Sequence, residues 1–144
     1  MKILIIHGPN LNQLHLRDKM HYGAMRQEDL FNDVIDAFPQ TEFTFYQSNY
    51  EGDVIEVLHQ TDDYDGIILN LGAWTHYSYA IRDALELAKC PSCDVHLSDI
   101  SKREPFRKVN VLEGITLKTF YGKKQQSYIE AITFLLTHLK ESLL

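Results

Sequence analysis

Apolar residues along the chain fall into short blocks of two kinds. Ile3 to Ile6 is an unbroken apolar run, the mark of a strand buried on both faces. Leu30, Phe31, Val34, Ile35 and Phe38 recur at helical spacing across Gln27 to Phe38, and Pro39 stops that helix. Glu42 to Gln47 reads as a second strand. Val54, Ile55, Val57 and Leu58 make a short helix that Asp62 to Asp65 ends. Ile67 to Leu69 is a third strand, and Tyr79 to Ala88 a helix with Ala80, Ile81, Ala84, Leu85 and Ala88 on one face. Val95 to Leu97 is a fourth strand, Ile115 to Phe120 the last, and Tyr128 to Leu143 a long amphipathic helix.

Strands that alternate with helices in this way imply a parallel sheet covered on both faces. The pattern predicts an α/β fold, a flavodoxin-like three-layer sandwich with a five-stranded parallel sheet of order 2-1-3-4-5. No linker, repeat or low-complexity tract interrupts it, so residues 1–144 are expected to form one domain. Such folds bind ligands beyond the carboxyl ends of the strands, at the point where strand order reverses. Three loops therefore matter: "HGPNLNQLHLRDKMHYG", "NLGAWTH" and "SDISKREPFR". Asn10, Arg17, Tyr22, Asn70, His76, His96, Ser98, Arg103 and Arg107 all fall at these ends, whereas a chain without a site would spread such residues over both rims.

Charge and composition remove several functions. The formal charge of -6 comes with no basic stripe, which argues against a nucleic-acid partner. No apolar run approaches the roughly 20 residues of a membrane span. The start "MKILIIHGPN" turns polar too soon for a signal peptide, so a cytoplasmic protein is expected. The connector Asn12 to Gly23, "NQLHLRDKMHYG", has almost no apolar periodicity. "HGPNLNQLHL" has one glycine and no Ser or Thr, and lacks both GxGxxG and GxxxxGK[ST], which disfavours a flavin or nucleotide phosphate.

The two cysteines, Cys90 and Cys93, form a CxxC. It can be a redox pair or half a zinc site, or two incidental thiols. A thioredoxin-type pair sits where a strand hands over to a helix; here a helix hands over to a strand, and no second CxxC or HxxxH completes a zinc set. "CDVHLS" puts Asp94, His96 and Ser98 at period-two spacing, on one face of a strand. A carboxylate beside an imidazole can fix its tautomer, so His96 is a candidate general acid, or else a core histidine bonded for packing. Arg103 and Arg107 suit anionic oxygens. With Arg17 they outline a small pocket for a polar anion.

With these segments in view, the chain resembles the type II 3-dehydroquinate dehydratases over essentially its whole length. "IIHGPNLNQLHLRDKMHYG" is similar to that family's GPNL segment, with an arginine five residues before a Tyr-Gly. "ILNLGAWTHYSYAIRDAL" and "VHLSDISKREPFR" are similar to its two later motifs, in the same order. The resemblance implies a shikimate-pathway dehydration of 3-dehydroquinate to 3-dehydroshikimate, without metal or cofactor, in a dodecamer built as a tetramer of trimers. It implies Tyr22 as base, ionised with the help of Arg17 and additionally Arg107. A free phenol titrates near 10, so bringing one toward neutrality takes roughly 3–4 kcal/mol of nearby positive charge. It further implies Asn10 as holder of an enolate-stabilising water and His96 as acid with Asp94 behind it. Asn70, Leu97 and Ser98 would bind a carboxylate, His76 and Arg107 ring hydroxyls, and Asp83 would reach a neighbouring subunit's site. The chain departs from the family pattern at His7 and Asp99, where Asn is usual, at Asp94, where Glu is usual, and at Ser127, where Gly commonly precedes the tyrosine. A non-catalytic flavodoxin-like paralogue that binds a small carboxylate is the alternative reading, and a flavin electron carrier a third.

Overall fold

The five apolar blocks form one parallel sheet. In a computed structural model describing residues 1–144, the strands are β1 (Lys2–His7), β2 (Glu42–Gln47), β3 (Gly66–Asn70), β4 (Ser92–His96) and β5 (Thr119–Tyr121). β1 pairs with β2 on one side and β3 on the other, giving the order β2-β1-β3-β4-β5. The helices are α1 (Lys19–Tyr22), α2 (Gln27–Ala37), α3 (Glu51–Leu58), α4 (Tyr79–Glu86) and α5 (Gln125–Ser142).

Alternation along β1 explains its unbroken apolar run. Ile3 and Ile5 pack on one face with Leu30 and Val34 of α2 and Tyr128, Ile132 and Leu135 of α5. Leu4 and Ile6 pack on the other with Val54 and Leu58 of α3 and Ile81 and Leu85 of α4. The sheet is thus the middle of three layers, as the sequence predicts.

Element edges differ from expectation in places. β4 starts three residues before Val95 and stops at His96, which leaves Leu97 beyond it. β5 covers only Thr119–Tyr121 rather than Ile115 to Phe120. Residues before it turn back on themselves, with Ile115 and Thr116 N–H groups donating to the Leu112 carbonyl and Gly114 at a φ of 88°. Ile35 and Ala80 are exposed, so each stripe is narrower than its apolar residues imply. The connector Asn12 to Gly23 is not featureless. It holds a 3-10 turn, Leu11–Leu16, and then α1, whose start is capped by Asp18 accepting from the Met20 N–H at 2.9 Å. Leu11 and Leu14 are buried and anchor it.

Two features fix the rim where β1 and β3 end. Gly8 donates its N–H to the Asn70 carbonyl at 2.8 Å, and a Cβ there would lie 2.4 Å from the Leu71 carbonyl oxygen. The clash is with backbone, so Gly8→Ala should destabilise the fold by about 2 kcal/mol, read as a lower urea midpoint.

His7 is fully buried at the end of β1, and burial lowers its pKa to about 4, against a partial offset from its bond to Gln27. The unfolded chain therefore binds this proton before the folded one does. Stability contributed by neutral His7 is complete above pH 6.5 and is lost as pH falls toward 4, by roughly 3 kcal/mol in all. Urea midpoints of the wild type should drop across this window, while those of His7→Gln, which cannot take the proton, should fall less steeply.

Candidate active site

The carboxyl ends of β1, β3 and β4 open into a narrow cleft lined by side chains of all three following segments. Arg17 and Tyr22 reach it from the segment after β1. Asn70, Gly72 and His76 come from the end of β3 and the 3-10 turn Gly72–His76. His96, Leu97, Ser98, Ile100, Arg103 and Arg107 come from β4 and the loop that follows. Three guanidiniums in one cleft make it locally cationic in a chain whose formal charge is -6, so the field there favours an anion.

Tyr22 sits at the centre. α1 turns its side chain inward, leaving the residue 8% exposed, and Gly23, at a φ of 81°, lets the chain leave the helix immediately afterwards. Arg17 donates from Nη2 to the phenol oxygen at 2.6 Å and lays its guanidinium carbon 3.9 Å from the ring centroid. Arg103 donates to the same oxygen from the opposite loop and also contacts Ser98 Oγ at 3.3 Å. Burial lowers the Arg17 pKa, Tyr22 opposes that, and the charges of Arg103 and Arg107 act with burial.

Arg107 does not take the part expected of it beside Tyr22. It pairs with Glu104 three residues back and lies 4.8 Å over the Phe106 ring. The guanidinium that completes the clamp is that of Arg103, to which the sequence assigned no specific role. Loop composition offered both arginines. The choice is made by the 3-10 turn Pro105–Lys108, which bends Arg107 back onto Glu104 while Arg103, in extended backbone before the turn, projects inward.

His96 is buried at the end of β4, its Nε2 3.6 Å from Asp94 Oδ2. That is an ion-pair distance and too long for a hydrogen bond. The Asp94 oxygens are taken by Thr116 Oγ1 at 2.7 Å, Thr119 Oγ1 at 2.9 Å and Asn110 Nδ2 at 2.8 Å. Burial pushes the Asp94 carboxyl up, but His96 and these donors outweigh it and hold it below the usual carboxylate range. Asp94 thus supplies a fixed negative charge near His96 and leaves His96 Nε2 without a partner. His76 Nδ1 donates to the Val109 carbonyl at 2.7 Å. Burial first, and the charges of His96, Arg107 and Arg103 after it, lower its pKa despite that bond. A neutral His76 with its proton on Nδ1 keeps Nε2 as an acceptor.

Asn70 is 4% exposed and held at both ends. Its Oδ1 accepts from the Gly72 N–H at 3.2 Å, and its Nδ2 donates to the Tyr128 hydroxyl at 2.8 Å. That hydroxyl lies 2.8 Å from His7 Nε2, and His7 Nδ1 lies 2.7 Å from Gln27 Oε1. Sequence reasoning missed this buried row. Its only signals were His7 and Ser127 as departures from the family pattern.

Two expected residues are not in the cleft. Asn10 is exposed one position before the cleft-lining Leu11, at a φ of 70°, with its N–H donating to Asn49 Oδ1. Asp83 is exposed on α4. The cysteines lie toward the other rim. Burial pushes the Cys90 thiol up to about 11 and Cys93 up to about 12, so neither is a thiolate at neutral pH, the reverse of what a redox pair needs. No three His, Cys, Asp or Glu side chains are grouped to hold a metal ion, and no helix is long and apolar enough to cross a membrane.

Fold and cleft together define a doubly wound α/β protein with a small cationic cleft built around a tyrosine clamped by two arginines. Residues 1–136 match the family model described as dehydroquinase class II, and the chain belongs to that family. It is 42% identical over 143 residues to a 3-dehydroquinate dehydratase of Thermotoga petrophila, covering 98% of this chain and 99% of the relative. It is 43% identical over 148 residues to one of Clostridium perfringens, covering 97% and 99%. The crystal structure of a type II dehydroquinase from Butyrivibrio crossotus superposes with a TM-score of 0.90 at 41% identity, covering 94% of this chain and 97% of that one.

Proposed function

We propose that this chain is a hydro-lyase that eliminates water from 3-dehydroquinate to give 3-dehydroshikimate, a step of the shikimate pathway. The observation that carries the reading is the phenol oxygen of Tyr22 receiving hydrogen bonds from both Arg17 and Arg103 inside a cleft that also holds His96. Two guanidiniums donating to one phenol oxygen make that oxygen an acceptor at the centre of the cleft, which is what a base must be.

The reaction has two proton movements. Tyr22 takes a proton from the carbon beside the substrate ketone, and the C–H electrons move into an enolate. The enolate then collapses, the carbon–oxygen bond at the next carbon breaks, and His96 gives its proton to the departing hydroxyl, which leaves as water. Arg17 and Arg103 hold the phenol oxygen in place before the first step. Asn10 stands outside the cleft and takes part in neither step. Asp94 stabilises His96 when it carries the proton. Asn70, Ser98 and the backbone at Leu97 receive the substrate carboxylate, and His76 and Arg107 its ring hydroxyls. Every step is a proton transfer or an electrostatic contact, so the reading calls for no cofactor. Asp83, away from this cleft, completes the site of a neighbouring subunit in a dodecamer of four trimers, and the 144 residues act as one catalytic domain in the cytoplasm.

The test is incubation of purified protein with 3-dehydroquinate while the absorbance of the conjugated enone is followed. A rise in absorbance supports the reading. Binding of the substrate without that rise would favour the non-catalytic carboxylate-binding alternative.

A further inference from the structure

None of the four groups in the row Gln27, His7, Tyr128 and Asn70 has its direction of donation fixed by chemistry alone. A histidine, a hydroxyl and a carboxamide can each be turned round, and the whole row could run either way. One contact removes the freedom. The group facing Asn70 at its other end is the backbone N–H of Gly72, which can only donate. The atom it meets must therefore be Oδ1, so Asn70 presents Nδ2 to Tyr128. The Tyr128 hydroxyl then accepts from Asn70, and His7 Nε2 is the one acceptor that keeps its own buried proton from going unpaired. His7 carries its proton on Nδ1 and donates to Gln27 Oε1.

We infer that this buried row aims the free N–H of Asn70 at the substrate: the Gly72 N–H fixes which atom is Oδ1, and Tyr128, set by His7, holds one Nδ2 hydrogen so that the other faces the cleft, which makes His7 and Tyr128 positioning residues for the substrate carboxylate. Nδ2 has two hydrogens. One is held by Tyr128, and the second has no acceptor in the chain, while Asn70 lines the cleft. The amide is thus locked to offer an N–H, a group that accepts bonds from nothing and suits a carboxylate oxygen. Without Tyr128 the amide keeps Oδ1 on the Gly72 N–H but loses the contact that aims its second N–H. His7 is suited to the row because one ring donates at Nδ1 and accepts at Nε2 while filling a fully buried place against Phe31. The inference rests on the proposed role of Asn70 in binding the substrate carboxylate.

Its test has two independent parts. Nitrogen-15 NMR of the whole protein at neutral pH should show the His7 ring protonated at Nδ1 and bare at Nε2; a proton on Nε2 overturns the inference whatever the catalytic activity. In kinetics, Tyr128→Phe should raise KM for 3-dehydroquinate roughly tenfold with kcat within about twofold, because a ground-state contact to a charged group is lost. His7→Leu should match it. His7→Gln, whose amide oxygen can accept from Tyr128 in place of Nε2, should recover most of the KM. Equal KM values in the wild type, Tyr128→Phe and His7→Leu would reduce the row to packing and overturn the inference. A wild type that binds but does not turn over substrate fails the functional reading alone, since the NMR result still decides the direction of the row.

Discussion

Tyr22→Phe should cost roughly 10³- to 10⁴-fold in kcat, the scale of a lost general base, and leave a folded protein. The ring packs against buried apolar residues and is kept in the variant; only the oxygen that Arg17 and Arg103 share is lost. Turnover by enone absorbance and a thermal unfolding curve on the same sample separate the two effects. Activity within tenfold of wild type would remove the phenol from the proton-transfer step.

The second large effect belongs to the clamp. Arg103→Ala and Arg17→Ala should each lower kcat by roughly 10²- to 10³-fold, as removal of a preorganised electrostatic partner does. Arg107→Ala provides the contrast. Arg107 lines the same cleft, but its guanidinium is paired with Glu104, so its loss should raise KM and lower kcat far less. A kcat within about twofold of wild type in both Arg17→Ala and Arg103→Ala would mean that the guanidiniums do not support the base.

Much of this arrangement was readable before any coordinates, for physical reasons. A strand buried on both faces has no choice but an apolar run, so β1 and the strand order followed from pattern. The spacing from Arg17 to Tyr22 survives because one capped turn of helix lies between them, a local matter. The rest depended on contacts between distant parts of the chain. Which of Arg103 and Arg107 meets Tyr22 is decided 81 residues away, by a turn that composition does not specify. The shift of β5 reflects the folding back of Leu112 to Thr116, and the hold on Asp94 comes from Thr116 in that stretch and from Asn110 and Thr119 on either side of it. Sequence offered Asp94 as the immediate partner of His96. The structure gives its oxygens to those three donors and leaves the imidazole at 3.6 Å.

The position of α5 has a consequence for the order in which the molecule can be made. Its Tyr128 meets His7 across 121 positions of chain. At roughly 5–20 residues per second, β1 waits on the order of ten seconds during synthesis for half of the cover over Ile3 and Ile5. Until then a fully apolar strand stands partly bare, and it is in this interval that the nascent chain is most exposed to self-association or to capture by a chaperone. The same delay holds for Asn70, whose amide has no hydroxyl to bond until α5 docks. A chain cut before Gln125 would carry every side chain proposed to touch substrate, yet lack the surface on which one of them is aimed.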